Sequence, residues 1–178
     1  MWVTSSVVHN SKFFVSCLLL GMWWEMALWA APLDTKLKDL DGLDHQLGEY
    51  IGHGKWVIFN VWGPKCPPCI DEMPELTAFH DDHHDTDAVV IGLALDFPSF
   101  DNANAEDVAV FVDDYFVSFP VLLGDRQIAS RIGGKPLRGI PTTFIFSPQG
   151  RLVHIRYGPM TQNELENLIE TLATDIAR

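Results

Sequence analysis

The chain has 178 residues, 47% of them apolar, with 24 acidic against 12 basic side chains and a formal charge of −12. That length holds one domain with a substantial core, and the apolar share excludes a disordered chain. The charge excludes proteins that bind nucleic acid or anionic lipid by neutralising phosphates, and leaves plain solubility or attraction to a basic partner.

Taken in chain order, the first segment is a leader. Lys12 precedes Phe13 to Trp24, a run without charge, and Glu25 breaks it before Met26-Ala27-Leu28-Trp29-Ala30-Ala31-Pro32. A run this short fits the apolar core of a signal peptide better than a full membrane span. The cleavage site is poor, because cutting after Ala31 or Ala30 places Trp29 or Leu28 where a small residue belongs. Residues 1–31 therefore read as a signal peptide or an uncleaved membrane anchor, and both put the body, residues 32–178, outside the cytoplasm. Phe14-Val15-Ser16-Cys17 faintly resembles a lipoprotein cleavage box, but the apolar run follows the cysteine instead of preceding it, so lipidation is rejected. Losing the leader removes one base, Lys12, and one acid, Glu25, and leaves the net charge unchanged.

In the body, Leu37 to Leu43 carries an Asp41-Gly42 turn signal and reads as a small hairpin. Gln46 to Ile51 reads as a short helix, and Lys55 to Val61 as a buried central strand. Asp71 to His80 reads as a helix kinked by Pro74. Ala88 to Leu95 is a second buried strand. Ala105 to Phe116 has the helical period in Val108, Phe111, Val112 and Tyr115. A short strand at Pro120 to Leu123 and a short helix at Asp125 to Ile132 follow, the latter ended by Gly133-Gly134. Thr142 to Phe146 and Leu152 to Tyr157 read as a hairpin. Thr161 to Ala177 reads as an amphipathic helix with Leu165, Leu168, Ile169, Leu172 and Ile176 on one face and Thr161 as N-cap. This order predicts an α/β fold, a mixed central sheet flanked by helices on both faces.

Of the three cysteines, Cys17 lies in the leader, so Cys66 and Cys69 are the pair left in the body. One pair is not a disulfide scaffold and reads as a redox or metal pair. Cys66-Pro67-Pro68-Cys69 sits between a strand and a helix. There the free N–H groups and macrodipole of the helix N-terminus stabilise a thiolate, the form that attacks disulfides. A structural zinc site needs four ligands, and no second Cys pair exists. A closed stabilising disulfide would span too small a loop to gain much.

Four segments carry a resemblance to the thioredoxin superfamily, and more narrowly to its TlpA/ResA-type (DsbE-like) extracytoplasmic thiol-disulfide oxidoreductases. They are Phe59-Asn60-Val61-Trp62 with the Cys-Pro-Pro-Cys run, Glu72-Met73-Pro74-Glu75-Leu76, Phe119-Pro120-Val121-Leu122-Leu123-Gly124-Asp125, and Gly139-Ile140-Pro141-Thr142-Thr143-Phe144. The resemblance covers Leu33 to Thr171. It implies a thioredoxin-like three-layer fold with an N-terminal hairpin and an extra helix-strand insertion. It implies that Cys66 attacks, that Cys69 resolves, that Pro141 is cis and faces the disulfide, and that Ile140 offers backbone hydrogen bonds to a substrate strand. It also implies that Glu72 is the acid near the site.

Two departures stand out. Asn60 replaces the buried aspartate of thioredoxin itself, as in the TlpA-like subgroup, so proton transfer falls to Glu72 or water. Lys65 replaces the usual aromatic residue before the first cysteine, and a cation there is expected to lower the Cys66 pKa. Trp62 is expected to pack under the site and, with Pro67, Ile140 and Thr142, to border the substrate groove.

The resemblance implies no cofactor beyond the redox-active Cys66–Cys69 disulfide, protein thiols and disulfides as partners, and a membrane thiol-electron donor. The family's clients include apocytochromes, copper-site cysteines and other exported proteins. Thr142, where the apocytochrome branch often carries Glu, favours a general TlpA-like reductant. A disulfide donor or isomerase would use the same site. A copper-binding assembly factor would add a histidine such as His154 to the two thiolates. Related peroxidases place a threonine where this chain has Gly63. His80, His83 and His84, interleaved with Asp81, Asp82 and Asp85, resemble a metal cluster but fit a solvated helix end better.

Overall fold

The computed structural model of the protein describes residues 33–176 and 178. The leader, Cys17 and the expected cleavage site lie outside the described residues. No described helix is long and apolar enough to cross a membrane.

Seven strands form one sheet in the order β2-β1-β5-β4-β3-β6-β7. The expected N-terminal hairpin is β1 (Lys36–Asp39) and β2 (Asp44–Gln46). Its turn uses Gly42 at φ +80°, a left-handed value that glycine adopts without a Cβ clash. The short helix expected over Gln46 to Ile51 is a single 3-10 turn, Leu47–Glu49. So short a segment forms too few hydrogen bonds to offset helix nucleation.

The centre of the sheet is β3 (Trp56–Trp62), buried along its whole length. It pairs in parallel with β4 (Ala88–Ala94), which pairs in parallel with β5 (Val121–Leu123). On its other side β3 pairs antiparallel with β6 (Thr142–Phe146), which forms the C-terminal hairpin with β7 (Leu152–Tyr157). The sheet is mixed because the first crossovers run through helices and the last connection is a tight hairpin.

Among the described residues four helices cover the sheet: α1 (Pro67–His83), α2 (Ala105–Asp114), α3 (Arg126–Ile132) and α4 (Gln162–Ile176). Strand alternation splits the core in two. Trp56, Ile58 and Trp62 pack with Met73, Leu76 and Phe79 of α1, Val108 and Phe111 of α2, and Leu165 and Ile169 of α4. Val57, Phe59 and Val61 pack on the opposite face with Ala129 and Ile132 of α3 and with Phe144. Each fully buried side chain of this size stabilises the fold by roughly 1.5–3 kcal/mol. Asn60 shares the parity of Ile58 and Trp62, so β3 turns one amide toward α1.

The helix ends follow their side-chain chemistry. The Asn104 carboxamide accepts from the N–H groups of Glu106 and Asp107 at 2.9 and 3.1 Å, and Asp125 accepts from Ile128 N–H at 2.8 Å. Thr161 and Glu164 cap α4 reciprocally, each accepting the other's N–H.

Candidate active site

β3 ends at Trp62, the turn Gly63 to Lys65 follows, and α1 begins at once. Cys66 is the N-cap, in extended backbone (φ −98°, ψ 107°), and Pro67 and Pro68 occupy the first helical positions. The helix thus starts before the expected Asp71, since proline in a first turn has no hydrogen bond to lose. It also runs on through Pro74 to His83. Cys66 and Cys69 are joined as a disulfide with Cα atoms 5.3 Å apart. The Cys66 carbonyl accepts from the N–H groups of Cys69 and Ile70, both at 3.0 Å. The first sulfur therefore lies at the positive end of a helix, where a thiolate is favoured.

With the disulfide closed, Cys66 is 1% exposed, as buried as Cys69 at 0%. Three chain segments meet over it. The Ile140–Pro141 bond is cis, and Cys66 Sγ lies 3.8 Å from the Ile140 carbonyl oxygen. Thr142 pins this loop, its hydroxyl donating to Gly139 O at 2.7 Å, and Gly158 N–H donates to Pro141 O at 3.0 Å. No backbone hydrogen bond to Ile140 appears among the described residues, which leaves that edge open to an incoming strand.

The third segment follows β4. A Cβ at Gly63 would stand 2.7 Å from Leu95 O, 3.3 Å from Ile140 Cδ1 and 3.5 Å from Phe97 Cβ. Glycine is what lets the active-site turn, the Pro141 loop and the Leu95-Phe97 segment close together. Phe97–Pro98 is a second cis bond, and Phe97 packs edge-on to Phe100, with ring centroids 5.9 Å apart.

Behind the disulfide lies a buried polar cluster. Glu72, one helical turn beyond Cys69, shares its face of α1 and is 1% exposed. One carboxylate oxygen accepts from Met160 N–H at 3.1 Å, and the other accepts from the Asn60 amide at 3.2 Å. The same amide donates to Thr143 Oγ1 at 2.9 Å, while Asn60 Oδ1 has no hydrogen-bond partner. Burial pushes the Glu72 carboxyl up to about 7, against the lowering effect of the Met160 and Asn60 hydrogen bonds. The Asn60 amide matches either protonation state. Its NH2 meets the carboxylate, and a half-turn presents its oxygen to the protonated acid.

Lys65 behaves differently. Its ammonium is exposed and pairs with Asp107 at the start of α2, Nζ–Oδ2 2.6 Å. The Asp107 hydrogen bond and charge hold Lys65 above the usual lysine range. Its positive charge is therefore matched by a carboxylate and is not a lone cation beside the thiol.

Trp62, expected to border the groove, is fully buried and cannot touch a substrate. It packs against Phe111, with ring centroids 4.9 Å apart. Pro67 is exposed beside Cys66. Thr142 is 1% exposed, so its side chain positions the Pro141 loop instead of offering itself to a client.

The three histidines divide among separate tasks. His80 is buried, accepts from Val90 N–H at 3.2 Å, and burial holds its pKa down. This corrects the expectation of a solvated helix end, because α1 runs past Asp82 and packs this turn on β4. His83 lies between Asp87 (3.0 Å) and Glu166 (3.6 Å); burial opposes its charge, but the two carboxylates outweigh it and raise the pKa. His84 bonds the His80 carbonyl and stacks on the His80 ring. His154 pairs with Ile145, down the sheet from the Thr142 end of β6. Among the described residues no group of three or more His, Cys, Asp or Glu is placed to hold a metal.

Sequence reasoning missed Phe97, whose X-Pro dipeptide was a visible but weak signal. It also missed the Asn60–Glu72–Met160 linkage, which joins residues 88 positions apart and leaves no local pattern.

The sequence matches the AhpC/TSA family over residues 30–155. The thiol-disulfide oxidoreductase ResA of Halalkalibacterium halodurans is 32% identical over 138 residues, which are 76% of this chain and 72% of that protein. Among solved structures, a thioredoxin-family thiol:disulfide interchange protein from Chlorobium tepidum superposes with a TM-score of 0.68 at 18% identity, covering 82% of this chain and 97% of that one. At that identity the likeness is one of fold. StoA from Bacillus subtilis gives a TM-score of 0.59 at 25% identity, covering 75% of this chain and 93% of that one. The chain belongs to the AhpC/TSA family, as a thioredoxin-like thiol-disulfide oxidoreductase.

Proposed function

We propose that the protein works outside the cytoplasm as a reductant, opening disulfides of exported proteins such as apocytochromes or copper-site proteins. A membrane thiol-electron donor returns it to the dithiol form. The observation that carries this reading is the disulfide at the N-terminus of α1 with the buried Glu72 carboxyl one turn behind it.

In the reduced protein the Cys66 thiolate attacks one sulfur of a client disulfide. A mixed disulfide forms, and the other client sulfur leaves as a thiolate and takes a proton from water. Cys69 then gives its proton to the Glu72 carboxylate and attacks Cys66 Sγ. The Cys66–Cys69 bond forms, the second client sulfur leaves, and two electrons have passed to the client. A carboxyl raised to about 7 is suited to this, because it exchanges its proton near neutral pH.

The leader supports an extracytoplasmic site of action. Gly63 argues against peroxide reduction. A threonine there would press its Cβ to 2.7 Å from Leu95 O, so the residue that related peroxidases use has no room. A disulfide donor or isomerase would share this geometry and differ in potential. A copper assembly factor would need a third ligand near the thiolates, and His154 is remote from the Pro141 loop.

The test is a single-turnover reaction of the reduced full chain with a disulfide-linked peptide pair. One equivalent of protein should release two peptide thiols and end with Cys66–Cys69 closed, and Cys66→Ser should release none. An unreacted peptide in the presence of reduced protein would refute the reading.

A further inference from the structure

Beside the Pro141 loop lies a cleft of about 350 Å³ that the mechanism above does not use, lined by Arg138, Ile140, Pro141, Thr142 and Tyr157 among others. Ile140 is the residue whose carbonyl touches Cys66 Sγ, so the cleft opens where a client chain paired to Ile140 must run. Two cations flank it. The Arg138 guanidinium carbon lies 5.5 Å from the Tyr157 ring centroid, and Lys135 Nζ lies 5.8 Å from the same centroid.

Neither cation forms a salt bridge among the described residues, and no carboxylate lines the cleft. Lys38 and Lys65, by contrast, each pair with an aspartate. The segment after β4 carries acids instead, Asp96 and Asp101.

We propose that this cleft is a specificity subsite that takes a carboxylate side chain of the client, borne within a few residues of the cysteine that Cys66 attacks. The proposal rests on the exchange function above and adds the class of client. The chemistry follows from the groups present. A guanidinium carries a planar N–H fork that matches a carboxylate with two parallel hydrogen bonds. The negative face of the Tyr157 ring favours a cation at this edge of the cleft. Lys135 adds a second positive charge without imposing a direction. An extended client chain advances about 3.3 Å per residue, so a side chain near the attacked cysteine reaches the cleft while the backbone lies along Ile140. A basic side chain in the same place would face two cations without a carboxylate partner, so the subsite rejects as well as selects.

The test uses nine-residue peptides with one central cysteine blocked as a pyridyl disulfide, and an Asp, Ser or Lys two residues before or after it. The full chain, reduced and desalted, attacks the peptide sulfur and expels thiopyridone; Cys69 then releases the peptide thiol and closes the Cys66–Cys69 bond. The rate of peptide-thiol release is followed at low salt. At one of the two positions the Asp peptide should react about fivefold faster than the Lys peptide, as expected for an exposed, charge-assisted contact. The ratio should shrink in high salt, fall toward one in Arg138→Ala, and invert in Arg138→Glu. Equal rates for Asp and Lys peptides at both positions, with the Ser peptide turning over, would overturn the subsite and leave the exchange function standing. No release from any peptide, Ser included, would overturn the exchange function and the subsite with it.

Discussion

Two ionisable side chains flank the Cys66–Cys69 disulfide, and their surroundings give them unlike weight. Glu72 lies on the inner side, closed off by Asn60, Met160 and the core, and burial moves its carboxyl to about 7. Lys65 lies on the outer side, in solvent and held by Asp107. In the interior a charge is weakly screened and its protonation becomes responsive to chemistry nearby; at the surface, water and a counter-charge damp it. Sequence position alone does not rank them, since each lies within three residues of a cysteine of the pair. Burial separates them.

The largest effect should come from the resolving thiol. Cys69→Ser leaves Cys66 able to attack but removes the group that frees it, so turnover stops and a Cys66–client mixed disulfide accumulates. Mass spectrometry of the trapped adduct checks this, and continued multiple turnover would show that resolution does not need Cys69.

Next comes Glu72→Gln, which sharpens the inner half of the comparison. Loss of the proton acceptor should slow attack by Cys69 about 10²-fold near neutral pH. Stability should move the other way. The folded carboxyl holds its proton up to about 7, whereas its ordinary value is 4.5. Ionisation therefore disfavours the native state increasingly between those two values and fully above the higher one. Glutamine never ionises, so the variant should match wild type near pH 4 and exceed it at pH 8 by up to about 3 kcal/mol. Urea midpoints at the two pH values measure the difference. Equal gains at both would mean that Glu72 is not held protonated by its site.

Gly63→Ala is a smaller steric change. Its new methyl meets Leu95 O at 2.7 Å, and the three segments over Cys66 must part. Overpacking of this kind destabilises by about 1–3 kcal/mol. Separating the walls should also speed reduction of the disulfide by dithiothreitol. A variant as stable as wild type, with unchanged reduction kinetics, would show that the contact does not hold the loops in place.

Lys65→Ala should do least. Its charge is matched by Asp107, so the rate of the first attack should change less than about threefold. Thiolate absorbance titration of the variant should move the Cys66 midpoint only slightly. A large upward move would restore the lysine as the group that activates the thiol.

These contrasts also mark what the sequence could convey. The β3, β4, β6 and β7 strands are legible because burial writes itself as apolar runs or alternation, and α2 and α4 because of their helical period. The apolar pattern of α1 is visible only from Asp71, and the proline pair before it is compatible with a first helical turn without marking the start by itself. The cysteine pair and the Pro141 loop were legible through their motif. The burial of Glu72 was not, because it depends on Met160, which the fold brings across from the segment before α4. Nor was the pairing of Lys65 with Asp107, a contact between residues 42 positions apart. The approach of Arg138 and Lys135 to the Tyr157 ring likewise exists only once β7 lies beside β6.

The measurement that bears most directly on the central claim is the reduction potential of the Cys66–Cys69 couple, by thiol trapping in graded glutathione and dithiothreitol buffers. A reductant of exported proteins requires a value near the roughly −270 mV of thioredoxin, low enough to open client disulfides and to need an electron source. A value near the roughly −120 mV of a strong oxidant would contradict the account and make the protein a donor of disulfides.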